Sequence, residues 1–330
     1  MFSQLFTLPF KVSAFPLMEE KNLTWQNYFI IGGITDLPQL QAPIFFLVLF
    51  IYVIVLSANS TILLLICKDQ KLHTPMYYFL SHLSFIDMCY STVTMHKALD
   101  VYVSKNKQIS FSACLTQMYF YVTFLCCEFL ILTAMSYDRY VAICFPLRYV
   151  MIMNKKLCAL LTILCWIVAF LEVLPSVFII YHIYCFKSNY INLFFCDLMS
   201  IMKLFCHGAS LMEHLIYAES AFVGFLPFSF IITSYSYIIR AIFKISSSRG
   251  RWKAFYTCSS HITVVALLIV PTLCLYVRPT SAFALDSDKI FLLFYTSLTP
   301  LVNPLIYSLK NKDVKMAFWR LVEKKKEILV

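Results

Sequence analysis

The chain has 330 residues, of which 61% are hydrophobic and only 13% are charged, and its formal net charge is +10. Soluble globular domains are nearer half apolar, so this composition excludes an ordinary soluble protein and indicates one embedded in a lipid bilayer. We interpret the positive charge as attraction to the anionic inner leaflet, and nucleic acid is not an expected partner.

Residues 1–41 are predicted to form an extracellular segment ahead of the first membrane span. Residues 1–17 are apolar but lack a basic start and a clean small-residue cleavage site, so a signal peptide is the less favoured interpretation. The acceptor sequence Asn22-Leu23-Thr24 lies in the same segment, and we expect Asn22 to carry an N-linked glycan.

Seven apolar stretches follow, and each is long enough to cross about 30 Å of hydrocarbon as a helix, which takes roughly 20 residues. They cover residues 42–67, 76–101, 113–138, 157–181, 213–240, 254–277 and 289–309. The second and third contain polar groups that lower their mean hydropathy. The sequence therefore predicts an all-α membrane protein whose domain over residues 42–309 is a bundle of seven transmembrane helices.

The distribution of Lys and Arg predicts the orientation of the bundle. These residues are concentrated in the loops after the first, third and fifth spans and in residues 310–330. Because such loops stay in the cytoplasm, we expect the N-terminus to be extracellular and the C-terminus to be cytoplasmic. Residues 310–330 are predicted to form a cytoplasmic tail with a short amphipathic helix on the membrane surface.

Four of the thirteen cysteines are predicted to lie on the extracellular side, where disulfides form. Cys114 lies at the outer start of the third span, and three more cysteines lie in the long loop before the fifth span: Cys185, Cys196 and Cys206. Four cysteines allow three pairings, and the sequence alone does not choose among them. We favour Cys114 with Cys196, which would hold the middle of the loop over the bundle, and Cys185 with Cys206, which would close the loop on itself.

Two pairs of charged residues fall in the apolar region. Asp138 and Arg139 end the third span, and Asp87 and Glu128 lie near the middle of the second and third. An ionised group beside hydrocarbon costs at least a few kcal/mol on insertion scales. Both pairs are therefore predicted to be partnered and functional. The alternatives are a static salt bridge for the first pair and a protonated, hydrogen-bonded acid in the second.

Five segments at matching intervals resemble one family. They are residues 75–80 (PMYYFL), 83–87 (LSFID), 135–144 (MSYDRYVAIC), 253–261 (KAFYTCSSH) and 300–312 (PLVNPLIYSLKNK). Together they resemble the olfactory (odorant) receptors, a branch of the rhodopsin-like (class A) G-protein-coupled receptors, from about residue 22 to residue 320. The Asp-Arg-Tyr tripeptide alone would be a weak signal, but the combination is specific.

The resemblance implies a receptor, with no enzymatic activity, that binds a small, mostly apolar odorant in the outer half of the bundle. It implies activation of a heterotrimeric G protein of the stimulatory olfactory type, which raises cyclic AMP. The expected location is the plasma membrane of olfactory sensory cilia, where the chain crosses the lipid bilayer several times. No cofactor is expected, apart from a sodium ion that modulates the receptor allosterically.

Roles at the cytoplasmic end are also implied by the resemblance. Arg139 would be the switch, which pairs with Asp138 at rest and turns toward the G protein in the active receptor. Tyr235 and Tyr307 are implied to assist it, and Tyr140, the next residue after Arg139, belongs to the same switch group.

A polar core is implied in the middle of the bundle. Its members are Asn59, Asp87, Glu128 and Asn303. The resemblance implies that Asp87 and Glu128 hold the sodium ion, and a hard cation prefers oxygen ligands of this kind.

Ligand-binding residues are implied by analogy on the third, fifth, sixth and seventh spans, where helical spacing lets each set share a face. They are Tyr121, Val122, Leu125, Cys126, Glu219, Ser220, Val223, Thr272, Leu273, Tyr276, Leu293 and Thr296. Glu219 is unusual because it is a carboxylate. It either anchors a polar or basic group of the ligand or pairs with neighbouring tyrosine or serine side chains.

The chain departs from the family pattern in two places. Leu268-Ile269-Val270 stands where olfactory receptors usually have Phe-Tyr-Gly, and Ala58 precedes Asn59 where they have glycine. The first departure removes the tyrosine beneath the ligand and puts the coupling of ligand to switch in doubt. Prolines in three spans are predicted to form kinks about which the inner halves swing: Pro227, Pro271 and Pro304.

Two other classes of protein compete with this interpretation. A transporter is disfavoured by the odd number of spans, the lack of an internal repeat and the lack of Gly-xxx-Gly pairs among only five glycines. A class A receptor for another small ligand is the closer alternative. Such a receptor would be expected to have tryptophan in place of Ile269 and, for amine ligands, an acid in place of Tyr121.

Overall fold

The computed structural model describes residues 27–35, 37–182, 186–206, 214–216, 218–276, 286–309 and 312–329. The predicted glycosylation site at Asn22 and the cysteine at Cys185 lie outside these residues.

Long helices dominate the described chain, and we number the principal ones in chain order. They are α1 (Pro38–Lys68), α2 (Pro75–Ser104), α3 (Phe111–Cys144), α4 (Lys155–Glu172, continued by Leu174–His182), α5 (Leu226–Phe243), α6 (Ser248–Tyr276), α7 (Asp286–Leu309) and α8 (Lys312–Leu329). Short helices at Tyr149–Ile152 and Leu198–Met202 lie in the connections. We call the end of the bundle where α3 finishes the inner end, and the opposite end the outer end.

Local sequence explains where several helices begin. Proline occupies the first turn of α1 and α2, where its missing N–H is not needed. Ser110 Oγ accepts a hydrogen bond from the backbone of Ala113 at the start of α3, and Asn154 Oδ1 accepts one from Leu157 at the start of α4. These side chains satisfy amide groups that have no partner within the helix.

The lengths and composition of the helices agree with the predicted bundle. In the described part of the chain, α1, α3, α4 with its continuation, α6 and the helical run His214–Phe243 that ends in α5 are each long and apolar enough to cross a membrane. The apolar parts of α7 and α8 pass the same test only as a pair, which is bent by 82°. α2 spans 30 residues but is more polar, and it packs between α1 and α3.

The prolines that were expected to form kinks lie within or at the start of helices. Pro271 is inside α6 and Pro304 is inside α7, whereas Pro227 is in the first turn of α5. Just before α5, the backbone of Ser220–Phe225 is π-helical. This wider turn changes which side chains of α5 face the bundle, and sequence periodicity did not predict it.

A small sheet at the outer end was not predicted from the sequence. Its strands are β1 (Tyr28–Ile31), β2 (Gln108–Ser110) and β3 (Tyr190–Ile191), in the order β2-β1-β3. β1 is antiparallel to β2 and parallel to β3. Beneath the sheet, a second apolar core is separate from the core that runs through the bundle. The segment before α1 and the two outer loops therefore form one cap.

Candidate functional site

The inner end of α3 presents Asp138 and Arg139. Asp138 is fully buried, and its Oδ2 lies 3.1 Å from Nη2 of Arg139, in an ion pair that lacks the alignment of a hydrogen bond. The same arginine nitrogen contacts Met76 Sδ at the start of α2. Tyr149, which follows α3, donates its hydroxyl to Asp138 Oδ1 over 2.8 Å. Burial and the Asp138 carboxylate raise the pKa of Tyr149, so it remains a hydrogen-bond donor.

Tyr235 of α5 is hydrogen-bonded to a histidine rather than to Arg139. Its Oη lies 2.7 Å from Nδ1 of His261 in α6, and both side chains are buried. His261 Nε2 lies 3.1 Å from the backbone oxygen of Leu132 in α3. His261 thus joins α3, α5 and α6 at one point. Its role was missed from the sequence, where the available signal was a histidine within an apolar helix.

The other two tyrosines have different surroundings. Tyr307 of α7 is buried, and its hydroxyl has no hydrogen-bond partner among the described residues. Tyr140 packs its ring against Phe145 and against Tyr237 of α5. Neither makes a described hydrogen bond to Arg139, so in this structure the arginine is held by Asp138 and Met76 and not by the tyrosines.

Asn303 of α7 joins the two acids of the polar core. Its Nδ2 lies 3.1 Å from both carboxylate oxygens of Asp87 and 3.1 Å from Oε1 of Glu128. Asn59 is attached to α7 differently, since its Nδ2 donates to the backbone oxygen of Pro300 at 3.1 Å. All four polar side chains are at least 98% buried. The core therefore ties α1, α2, α3 and α7 together.

The chemistry of this core suits a hard cation. Two carboxylates face one amide, and Asn59 Oδ1 and the hydroxyl of Ser91 are buried oxygens that have no hydrogen-bond partner within the described segments. Ser91 lies four residues after Asp87 and hence on the same face of α2. Sodium prefers oxygen ligands of this kind, so the residues present fit the ion that the sequence analysis named.

A disulfide between Cys114 and Cys196 attaches the outer loop to α3, which is the pairing that we favoured. The backbone N–H of Cys196 also donates to Gln117 Oε1 over 3.0 Å. Cys206 is disulfide-bonded as well, and its expected partner, Cys185, lies outside the described residues.

The loop places aromatic side chains over the expected ligand region. Tyr121 is fully buried, with its ring centroid 4.8 Å from that of Phe195 and 5.5 Å from that of Tyr90. On the facing helices, Thr272 Oγ1 lies 2.7 Å from the hydroxyl of Tyr295. Three of these residues, Tyr90, Phe195 and Tyr295, were not among those expected from the sequence, because they come from α2, a loop and a different face of α7.

Of the other expected ligand residues, Cys126 and Glu219 belong to a cluster of hydrogen bonds between α3, α4 and the segment before α5. The remaining ones are described by their burial or by bonds within their own helix. Cys126 of α3 donates its thiol to Glu172 of α4 over 3.0 Å, and Ser176 donates to Glu219 over 2.8 Å. Leu125 and Val223 are buried, Val122 and Leu293 are half-buried, and Thr296 bonds to the backbone of its own helix. The side chains of Ser220, Leu273 and Tyr276 are outside the described part of the structure.

Comparisons with known proteins identify the family. A family model described as olfactory receptor matches residues 48–325. Olfactory receptor 8U3 of Mus musculus is 41% identical over 312 residues, which cover 94% of this chain and 98% of its own. Olfactory receptor 8D1 of Homo sapiens is 42% identical over 300 residues, covering 89% and 97%. Olfactory receptor 5A1 of Homo sapiens is 43% identical over 298 residues, covering 90% and 95%. The chain therefore belongs to the olfactory receptor family, and it is a seven-transmembrane receptor and not an enzyme.

Proposed function

We propose that this chain binds a small, mostly apolar odorant in the outer half of its bundle and activates a heterotrimeric G protein of the stimulatory olfactory type, which raises cyclic AMP. The N-terminus is then extracellular, and the receptor acts in the plasma membrane of olfactory sensory cilia. The observation that carries this proposal is the arrangement at the inner end of α3. There, Arg139 is held by a buried carboxylate on one side and by Met76 on the other.

The switch works by exchange of partners. Arg139 is always charged and has five donors, so it can leave the oxygens of Asp138 for other acceptors without changing protonation. The outward movement of α6 requires His261 to separate from Leu132, because that contact attaches the middle of α6 to α3. Tyr235 is then released and can move toward Arg139, as can the hydroxyl of Tyr307, which has no hydrogen-bond partner in the described part of the chain.

The polar core is the place where an ion would oppose activation. Asp87 and Glu128 bind sodium in the resting receptor in this proposal, and loss of the ion lets α7 move with Asn303. Replacing external sodium with N-methylglucamine should raise basal cyclic AMP in the parent. The rise should be absent in Glu128→Gln, and an equal rise in both would contradict a role for the ion.

The proposal is tested by expressing the chain with an olfactory stimulatory G protein and screening volatile and water-soluble odorants by cyclic AMP. Arg139→Ala should abolish the response while surface display is retained. Lys68→Ala is the matched control, because Lys68 is an exposed base at the inner end of α1, away from α3. A response that survives Arg139→Ala would defeat the switch assignment, and solute flux without G-protein activation would favour a transporter instead.

A further inference from the structure

Two glutamates lie in the outer half of the bundle: Glu172 ends the first part of α4, and Glu219 lies in the helical run that leads into α5. Glu172 accepts a hydrogen bond at Oε2 from the Cys126 thiol, at 3.0 Å. Both oxygens of Glu219 share one donor, the hydroxyl of Ser176, at 2.8 Å each. Ser176 follows Glu172 by four residues along α4 and its continuation, so the two carboxylates lie near one another, and both glutamates are half-buried.

The hydrogen bonds within this group do not compensate its charge. Two carboxylates offer about eight lone-pair positions, and the thiol and hydroxyl provide only two neutral donors. Neither glutamate has an ion pair with another described residue, in contrast to Asp69, Asp100 and Asp138. Adjacent acids without a cation are costly in a region of low dielectric. The two glutamates therefore offer more hydrogen-bond acceptors than the surrounding side chains have donors.

A third acceptor lies at the same seam. Thr123 is fully buried, and its hydroxyl has no hydrogen-bond partner among the described residues. It lies four residues after Tyr119 and three before Cys126, so the three side chains share one face of α3. That face is directed at α4, because Tyr119 donates to the backbone oxygen of Phe170 over 3.0 Å and Cys126 donates to Glu172. The Thr123 hydroxyl is therefore aimed at the seam that contains the acids.

We propose that Glu172, Glu219 and Thr123 form a subsite for a protonated aliphatic amine, so that the odorant carries an ammonium group. This inference rests on the proposed receptor function and names the chemical class of its ligand. An ammonium has up to three N–H donors, which match two carboxylates and one hydroxyl. The hydrocarbon part of the ligand would lie against Leu125 of α3 and Val223 of the π-helical segment before α5, which are both buried.

A metal ion is the other cation to consider at a thiol and two carboxylates. In the described part of the chain, however, no three His, Cys, Asp or Glu side chains are placed to share one. The acids lie on α4 and just before the π-helical segment that leads into α5, so the subsite does not require the acid on α3 that amine receptors would have in place of Tyr121.

The test compares primary aliphatic amines with alcohols of the same carbon skeleton, by cyclic AMP in cells and by thermal stabilisation of the purified receptor. Amines should act at lower concentrations than their alcohols. Glu219→Gln and Glu172→Gln should each raise the half-maximal amine concentration at least tenfold and leave the alcohol response unchanged. Thr123→Val should raise it about threefold. Asp100→Asn is the matched control, since that acid is also at the outer end but is paired with Lys97 at 2.7 Å.

The two readouts separate this inference from the receptor function. Neutral odorants that raise cyclic AMP while amines neither bind nor signal would overturn the amine subsite and leave the proposed function intact. Amines that stabilise the purified receptor in a Glu219-dependent way without raising cyclic AMP would support the subsite and defeat the signalling proposal. Stabilisation by zinc alone, or an amine response that is unchanged in both glutamine variants, would also overturn the subsite.

Discussion

Tyr235 and His261 join α5 to α6 through a hydrogen bond of 2.7 Å between Tyr235 Oη and His261 Nδ1. Their rings also stack, with centroids 5.7 Å apart. The second ring nitrogen of His261 faces the backbone oxygen of Leu132 at 3.1 Å. In the proposed switch, α6 leaves α3 when the inner end opens, so this histidine would stabilise the closed arrangement.

His261→Phe should raise basal cyclic AMP. Phenylalanine keeps the ring but loses both hydrogen bonds, and a net loss of about 1 kcal/mol in the closed state corresponds to roughly a fivefold shift toward the open state. The measurement is cyclic AMP without odorant, normalised to surface display. His82→Phe is the control, because that ring packs against Tyr78 on α2 and makes no described hydrogen bond. Basal activity equal to that of the parent would show that His261 is only a packing residue.

Thr272→Val should weaken the odorant response. Thr272 lies one turn outward from Ile269, the position where the family resemblance implies tyrosine, and its hydroxyl bonds to Tyr295 of α7 over 2.7 Å. We expect this contact to connect ligand to switch in this chain, so its loss should raise the half-maximal odorant concentration about fivefold. Thr263→Val is a matched control on α6, since Thr263 is exposed and bonds only to the backbone of Ser259. Equal effects of the two variants would contradict this expectation.

Cys196→Ser should remove most of the receptor from the cell surface. The Cys114–Cys196 disulfide anchors the outer loop to α3, and loss of a native disulfide typically costs about 2–5 kcal/mol. Antibody staining of an epitope-tagged chain measures the surface fraction. Cys67→Ser serves as the control because Cys67 is an exposed free thiol. Normal display together with an intact odorant response would count against a structural role for the bond.

The contact between α8 and Asp69, the residue that follows α1, should be lost in acid. Arg320 Nε donates to Asp69 Oδ2 over 2.9 Å, and this hydrogen bond lowers the pKa of Asp69 from its ordinary 3.8. Because the pKa of Asp69 is lowered in the folded protein, the ionised carboxylate stabilises the contact with Arg320 above about pH 4. This stabilisation is lost as the pH falls below 3.8 and Asp69 becomes protonated.

Fluorescence of Trp319 reports this transition, because it is exposed on α8 next to Arg320. In a variant that keeps only this tryptophan, its emission should change as the pH falls below 3.8 through the lowered pKa of Asp69. Arg320→Ala should show the acid emission already at pH 7, whereas Lys315→Ala should behave like the parent. A transition that persists in Arg320→Ala would assign it to another acid.

The family, the apolar spans and the charged residues in them could be predicted from the sequence, because each depends on local composition and order. About twenty apolar residues suffice for a membrane span wherever its neighbours lie. Asp138 and Arg139 are adjacent in the chain, so their pairing needed no tertiary information. The Cys114–Cys196 disulfide was favoured among three pairings, but only the structure selected it.

Contacts between distant helices were decided by the tertiary structure alone. Asn303 meets Asp87 across 216 positions, and Tyr235 meets His261 instead of Arg139. Such contacts depend on how each helix is rotated about its axis, and a single π-helical turn before α5 changes that rotation. The outer sheet was not predicted either, because it also depends on contacts between distant parts of the chain. Its strands have four, three and two residues, too few for a periodic pattern, and they pair only because the folded bundle brings them together.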